Sequence, residues 1–355
     1  MKGNLNIGVV GLGYWGPNLA RNFQSLPGCN LQVLCDQDQH RLDHLKKFYP
    51  QAEMYARFEE ALNSADLDAV AISTPVRLHH RMAKASLLAG KHTMIEKPMA
   101  SSVEQCEELI ELAAARGLVL MVGHTFLYSP AVRKIKEIVD SGGIGKLRYV
   151  SSRRLNLGLF QKDINVVWDL APHDISIIEH VMGERACTVN CQGKANVSGG
   201  VEDVSNLSLH FPNGGFATIH SSWLDPKKVR DMAFVGTEKM ILYDDLEPLQ
   251  KIKIYDQRVE TPPYYDTFAE FQYSYHYGDM YAPYIKQEEP LHIECQHFID
   301  CIRREQEPLS GGVKGLELVR ILEAASRSLA NNGARIEIAR SVAAPVGRPS
   351  VEAAS

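Results

Sequence analysis

Leu5-Asn6-Ile7-Gly8-Val9-Val10 runs directly into Gly11-Leu12-Gly13-Tyr14-Trp15-Gly16, and twenty residues later Asp36 closes a second apolar run, Leu31 to Cys35. A strand, three glycines at G-x-G-x-x-G spacing, a helix and an acid after the next strand form the arrangement that holds a dinucleotide. Gly11 lets the chain turn tightly out of the strand, and Gly13 lets the backbone approach a pyrophosphate. Gly16 lets the helix pack close to the sheet with its positive N-terminal end toward the phosphates. Asp36 can accept hydrogen bonds from the adenine ribose hydroxyls, and its charge repels a 2′-phosphate. The stretch therefore predicts NAD rather than NADP, with Tyr14 and Trp15 in the loop beside it. Arg41, with Asp38 nearby, forms no clear 2′-phosphate pocket and is counted on the cofactor side. The glycines alone would equally suit an unliganded turn; strand, helix and acid together favour the nucleotide.

At 355 residues the chain has room for two domains with their own cores. A formal net charge of -5 gives no electrostatic footprint for nucleic acid or an anionic membrane. No apolar run reaches membrane-spanning length, and the start reads as a first strand rather than a signal peptide, so a cytoplasmic protein is expected. The seven cysteines are odd in number and lack zinc-type pairing, which predicts buried reduced thiols and no metal.

Up to about residue 123, apolar runs (Leu5–Val10, Leu31–Cys35, Ala69–Ile72, Thr93–Ile95, Val119–Val122) alternate with helical patterns, as in a parallel sheet covered on both faces. After residue 124 a helix from Ala131 to Val139, a strand from Leu147 to Leu155 and a helix from Leu170 to Met182 give way to a series of β-type segments. These are Cys187–Gly193, Val204–Phe211, Gly215–Trp223, Met232–Val235, Met240–Tyr243 and Ile252–Tyr255, with a hairpin signal at Asn213-Gly214. The Pro/Tyr-rich stretch Thr261 to Pro290 reads as a long ordered excursion, followed by helices over Leu291–Arg304 and Gly315–Asn332. The predicted fold class is α/β: an N-terminal Rossmann dinucleotide-binding domain (1–123), then a C-terminal α+β domain with a large, mostly antiparallel open-faced sheet (124–340). Residues 341–355 read as a mobile tail.

Two further motifs carry chemistry. Glu96-Lys97-Pro98 follows the apolar run His92 to Ile95, and ligands of open α/β sheets bind outside the carboxyl ends of the strands. A lysine there can donate to a substrate oxygen and stabilise an alkoxide as hydride leaves. Away from a strand end the same residues would be a surface ion pair. In Trp168-Asp169-Leu170-Ala171-Pro172-His173-Asp174, Pro172 predicts the first turn of a helix, and Asp169 and His173, four apart, share one face. The helix dipole there favours neutral imidazole, the form that accepts a hydroxyl proton. Asp169 would orient the ring; the plainer alternative is an Asp169 cap and a packing histidine.

The chain resembles the glucose–fructose oxidoreductase/inositol dehydrogenase/MocA family from Asn6 to about Ile338. The resemblance rests on VVGLGYWGPN, on Ser73-Thr74-Pro75 with His79, on Glu96-Lys97-Pro98, and on Asp169 with His173. It implies that Lys97 contacts the reacting hydroxyl, that His173 is the acid/base supported by Asp169, and that Glu96 binds the nicotinamide ribose. Ser73, Thr74, Pro75, His79, His124 and Trp168 would line the cofactor, and the Lys97–Pro98 bond would be cis. Many members have an arginine where this chain has Tyr128. That departure, with VGHTFLYSPAV, RRLNLG (Arg153–Gly158), NVVWDLAPHDISI and EPLHIECQHFIDCI, resembles the bacterial branch acting on nucleotide-activated sugars, best known for UDP-N-acetylglucosaminuronate 3-dehydrogenases. In that case Arg153, Arg154 and Lys162 could neutralise a diphosphate or carboxylate, although strand alternation points only one of the adjacent arginines inward. Tyr128, Asn156 and Asn165 are the further candidates for substrate contact.

The implied activity is NAD-dependent oxidation of a sugar C3 hydroxyl. A 3-keto sugar reductase or a dehydrogenase of free sugars or inositols would use the same residues in the same way. A dinucleotide-sensing regulator that has lost catalysis fits less well, because Lys97 and His173 are both present and no DNA-binding segment is appended. The family commonly assembles through its C-terminal sheet, so a homodimer or homotetramer is expected.

Overall fold

The computed structural model describes residues 3–63, 66–158, 160–161, 164–197, 199–260 and 273–339. Lys162, residues 261–272 of the Pro/Tyr-rich stretch and the tail from 341 lie outside the described residues. The chain divides into two compact units.

The first unit comprises the residues up to Thr125 together with Glu289–Arg320. Its strands are β1 (Leu5–Val10), β2 (Cys29–Cys35), β3 (Glu53–Tyr55), β4 (Ala69–Ile72), β5 (His92–Glu96) and β6 (Leu120–Gly123), in the order β3-β2-β1-β4-β5-β6. Every pair is parallel. Strands covered on both faces read as unbroken apolar runs, and β4 and β6 are buried along their whole length. The order reverses direction between β1 and β4, which is the switch point where such sheets receive ligands. Val10 pairs with Ile72, so the loops after these two strands lie side by side.

Helix α1 (Gly16–Ser25) carries Pro17 in its first turn, where the missing amide costs nothing. The helices α2 (Gln39–Lys46), α3 (Phe58–Leu62), α4 (Val76–Leu88) and α5 (Val103–Ala115) make the crossovers. The segment Glu289–Arg320, which the alternation of elements predicts in the second domain, belongs to this unit. It packs Phe298 edge-on against Phe23 at 6.4 Å and pairs Glu289 with Arg21 at 2.5 Å. The amide of Val122 donates to the Ser310 carbonyl at 2.8 Å.

The second unit, Phe126–Glu288 with Ile321–Ile338, is a nine-stranded sheet. After α6 (Pro130–Asp140) come β7 (Leu147–Leu157), α7 (Val166–Met182), β8 (Thr188–Lys194), β9 (Val204–His210) and β10 (Phe216–Ser222). Next are β11 (Leu224–Gly236), β12 (Met240–Asp244), β13 (Ile252–Glu260), β14 (Ser274–Tyr281) and, near the end of the chain, β15 (Ile336–Glu337). The order is β14-β13-β12-β11-β7-β10-β9-β8-β15, antiparallel except for the parallel pair β7·β10. Gly214, at φ +83°, makes the β9–β10 hairpin turn that Asn213-Gly214 predicts. Strand β14 lies within the stretch predicted as a long ordered excursion and pairs antiparallel with β13, its Tyr275 and Tyr277 two residues apart on one face. Val150, Leu207, Ile219, Phe234, Ile241 and Ile254 are buried, as are Ile175, Ile178 and Val181 of α7. The remaining helices are α8 (Pro290–Arg304) in the first unit and α9 (Gly312–Ala330). Among the described residues no helix is long and apolar enough to cross a membrane.

Candidate functional site

The glycine loop separates into positions that the chain itself demands and one that it does not. Gly11 has φ +87°, and a β-carbon there would lie 2.8 Å from the Ser73 carbonyl. A β-carbon on Gly16 would lie 2.0 Å from the Gly11 oxygen, so this close helix–loop approach admits no side chain. Gly13 differs: a β-carbon there meets only Arg41 Nη1 at 3.7 Å, an ordinary contact. The bare backbone at Gly13 is thus a cradle that a side chain would fill, as a pyrophosphate site requires.

Asp36 is buried, and its Oδ2 accepts the Leu12 amide at 2.6 Å and Arg41 Nη1 at 3.2 Å. Its Oδ1 accepts the Asp38 amide at 2.9 Å. Arg41, half exposed, stands between Asp36 and Asp38, so its charge is matched within the loop. Tyr14 is largely exposed and sits edge-on to Trp15 at 5.7 Å.

After β4, the Ser73 hydroxyl donates to the Gly11 carbonyl at 2.7 Å, and the Thr74 hydroxyl to Met82 Sδ at 3.5 Å. Pro75 precedes the first residue of α4. His79, one turn into α4, is predicted to line the cofactor. It is instead buried, with Nδ1 2.8 Å from the Pro98 carbonyl and Nε2 2.7 Å from the Thr74 carbonyl. Both ring nitrogens are thus engaged by backbone, and His79 clamps the loop after β4 to the one after β5. Burial holds its pKa below the usual value against the pull of the two carbonyls. The Lys97–Pro98 peptide is cis, as the family resemblance implies.

Glu96 ends β5 opposite Gly123 of β6, where a β-carbon would lie 3.0 Å from the Glu96 carboxyl. Burial raises Glu96 to a pKa of about 7 against the opposing Lys97 charge and amide. His124 is fully buried, and neither ring nitrogen has a hydrogen-bond partner among the described residues. Burial, with the charges of Lys314 and Lys97, lowers it to about 3 and keeps it neutral.

Glu294 of α8 was not foreseen. It is fully buried, accepts the Thr125 hydroxyl on Oε2 at 2.7 Å, and has no partner for Oε1 among the described residues. Burial, with Glu96 adding to it, holds its carboxyl well above the usual range. The available signal was an acid inside the apolar stripe Leu291, Cys295, Phe298, Ile302. Buried polar groups ordinarily have partners. The unsatisfied atoms of His124 and Glu294 close to Lys97 and Glu96, with the cradle at Gly13, therefore fit a polar dinucleotide.

In the second unit, helix α7 begins at Val166, earlier than the Leu170 start predicted from Pro172. Pro172 lies inside the helix, where it removes the amide that would otherwise meet the Trp168 carbonyl. Asp169 is consequently in the first turn, and His173 is a full turn further in. The dipole effect fades within one turn, so it acts less on His173 than a first-turn position would imply. Asn165, predicted to touch substrate, is the helix cap: its Oδ1 accepts the Trp168 amide at 3.2 Å and its Nδ2 donates to Glu202 at 2.9 Å. Asp169 is therefore not the cap. Its Oδ2 accepts the indole N–H of Trp223 at 3.0 Å. His173 is partly exposed and edge-on to Phe126 at 5.1 Å.

The adjacent arginines point oppositely, as alternation requires. Arg154 is 6% exposed, bidentate to Asp174 at 2.9 and 2.8 Å, and lies over the Phe126 ring at 5.0 Å. Its charge is already matched, contrary to the prediction that it neutralises a substrate anion. Arg153 is exposed and bidentate to Asp231 at 2.9 and 2.5 Å. Tyr128, a second predicted substrate contact, is fully buried beside the Arg133 guanidinium. Asn156 is partly exposed on β7. Trp168 donates its indole N–H to Ser326 at 2.9 Å.

The model of an oxidoreductase family with an NAD-binding Rossmann fold, GFO_IDH_MocA, matches residues 5–124. The C-terminal domain model of the same family matches residues 132–242. The chain is 27% identical over 265 residues to UDP-N-acetylglucosamine 3-dehydrogenase of Acidithiobacillus ferrooxidans, covering 73% of this chain and 80% of that one. It is 24% identical over 343 residues to the NAD+-dependent scyllo-inositol 2-dehydrogenase of Bacillus subtilis, covering 93% and 96%. An oxidoreductase from Agrobacterium radiobacter, solved with NAD+, L-tartaric acid and magnesium, shares the fold with a TM-score of 0.77 at 19% identity, over 94% of this chain and 98% of that one.

Proposed function

Because the chain belongs to the GFO/IDH/MocA family of NAD-binding oxidoreductases, we propose that it oxidises the C3 hydroxyl of a nucleotide-activated sugar, such as UDP-N-acetylglucosaminuronate, to the 3-keto sugar. The observation that carries this is the end of β5, where Lys97 follows buried Glu96, and both ring nitrogens of His124 and Oε1 of Glu294 have no hydrogen-bond partner among the described residues. NAD, when bound, supplies the hydride acceptor; the loop at Gly11–Gly16 and Asp36 would hold it.

Lys97 donates to the substrate oxygen and favours the alkoxide as the carbon gives up its hydride. His173 takes the hydroxyl proton, and Asp169 stabilises the resulting imidazolium. Glu96 accepts from a ribose hydroxyl. The nucleotide sugar is favoured over a free polyol by the branch-like motifs around Tyr128, Arg153 and Asn165, and by the relative named for UDP-N-acetylglucosamine. The relative named for scyllo-inositol supports the polyol alternative. Exposed Tyr149, Leu157, Tyr275, Tyr277 and Tyr281 on the nine-stranded sheet favour a homo-oligomer.

A panel of substrates with NAD, followed at about 340 nm where reduced nicotinamide absorbs, tests the proposal. Absorbance should rise with the UDP-sugar acid and not with glucose or inositol. Turnover of inositol alone would assign the polyol reaction. Tight NAD binding with no turnover on any sugar would make the protein a sensor.

A further inference from the structure

We propose that Trp223 is a positioning residue for the acid–base pair, holding Asp169 by one oxygen so that the carboxylate stands ready for His173. The inference deepens the reading of Asp169 and His173 given above and rests on it. Trp223 lies 54 positions from Asp169 in sequence, just past the end of β10, and is 1% exposed. Its indole nitrogen can only donate, and in the folded chain it donates to Asp169 Oδ2 at 3.0 Å. A neutral donor to a carboxylate oxygen makes a charge-assisted bond that fixes the carboxylate's rotamer.

The indole is itself held rigidly. The Trp223 amide donates to the Asp203 carbonyl at 2.9 Å, and its own carbonyl accepts from the Gly158 amide at 3.0 Å. The ring lies against Phe160, with centroids 5.5 Å apart. Gly158 leaves space for it: a β-carbon there would come 3.0 Å from Trp223 Cδ1. A group fixed at its backbone, its ring and its seat can fix another group, and a site held this way needs little reorganisation when charge develops.

The geometry divides the carboxylate in two. Oδ2 is committed to the indole, so what Asp169 offers the imidazole one turn along α7 is Oδ1. Arg154 and Asp174, the next residue after His173, are matched to each other in a bidentate pair. Phe126 meets the His173 ring edge-on at 5.1 Å.

The test follows the His173 ring signal through a pH titration by NMR, in the full chain without cofactor or substrate, using His173→Gln to assign the signal. Asp169→Ala should lower the titration midpoint, because a nearby carboxylate favours the imidazolium. Trp223→Phe keeps the ring and removes the donor. It should shift the midpoint in the same direction by about half as much, and add nothing when combined with Asp169→Ala. Gly158→Ala displaces the indole without deleting it and should reproduce a smaller shift, which keeps the test alive if Trp223→Phe folds poorly.

In a turnover assay Trp223→Phe should lower kcat about tenfold at an unchanged KM for NAD, the pattern of a lost transition-state interaction. An unmoved His173 midpoint in folded Trp223→Phe overturns the inference, as does the same shift appearing undiminished in the Asp169→Ala background. If Asp169→Ala itself leaves His173 unmoved, the carboxylate does not act on the ring and the inference fails with it. Failure of the substrate assignment is a separate result, because the titration uses no substrate and that failure appears only in the panel.

Discussion

The amide of Leu12 donates to Oδ2 of Asp36 across 2.6 Å, so the acid proposed to meet the ribose also holds the glycine loop. Asp36→Ala should therefore have two effects. Leaving that buried amide without a partner costs about 1–3 kcal/mol of stability, seen as a lower Tm. NAD affinity should fall at least about tenfold, the loss of one charged hydrogen-bond partner. Calorimetric titration and thermal melts separate the two.

Gly13→Ala and Gly16→Ala should behave oppositely. The chain has space at Gly13, so the alanine variant should melt near the wild-type temperature and lose NAD affinity. At Gly16 a β-carbon would lie 2.0 Å from a backbone oxygen. That variant should lose about 3 kcal/mol or more and accumulate as poorly folded protein. Equal melting temperatures for the two would contradict this division.

Lys97→Ala and His173→Ala should each abolish turnover, a loss of about a hundredfold or more for an acid–base group, while NAD affinity changes little. Stopped-flow assays with the UDP-sugar acid, alongside NAD titration, check both halves. Near-normal rates in either variant would remove that residue from the chemistry.

Burial raises the Glu96 carboxyl to about 7, so the folded state holds its proton more tightly than the unfolded chain does. Stability from this group is therefore present at low pH and is lost as pH rises from the usual carboxylate range through about 7. Glu96→Gln cannot ionise and escapes that loss. Its melting temperature should gain on the wild type between pH 5 and pH 8 (roughly the span of the titration). Parallel curves would show that Glu96 stays ionised throughout.

Arg153→Ala and Arg154→Ala form a contrasting pair on one strand. Arg154 is buried with Asp174, and removing it strands that carboxylate, at a cost of about 3–5 kcal/mol. Arg153 is exposed, and its loss should cost less than about 1 kcal/mol. Urea melts of the two variants give the comparison.

Five of the six strands of the first sheet could be read from the chain because its signals are local, with Leu5–Val10, Gly11–Gly16 and Asp36 in one βαβ unit; the three-residue edge strand β3 (Glu53–Tyr55) carries no apolar run and is not among them. The site depends more on distant pairing. Glu294 meets Thr125 across 169 positions, and Trp223 meets Asp169 across 54, distances at which periodicity carries no information. Pro172 misled for a different reason. A proline usually marks a first turn, yet α7 continues through it on packing by Val166, Val167, Ile175 and Ile178. Alternation on β7 fixed that Arg153 and Arg154 diverge, but only Asp174 on α7 decides which one is buried.

The first unit also has a consequence for how the chain is made. Its sheet is complete by Gly123, yet Phe298, Glu289 and Ser310, which cover α1 and close the edge at β6, are synthesised after eight of the nine strands of the second sheet. A nascent chain must carry the dinucleotide half with Phe23 uncovered while well over a hundred residues emerge. An N-terminal fragment ending near residue 125 would keep that exposure permanently and should aggregate. Cutting this protein into working halves would require grafting Glu289–Arg320 back onto the first.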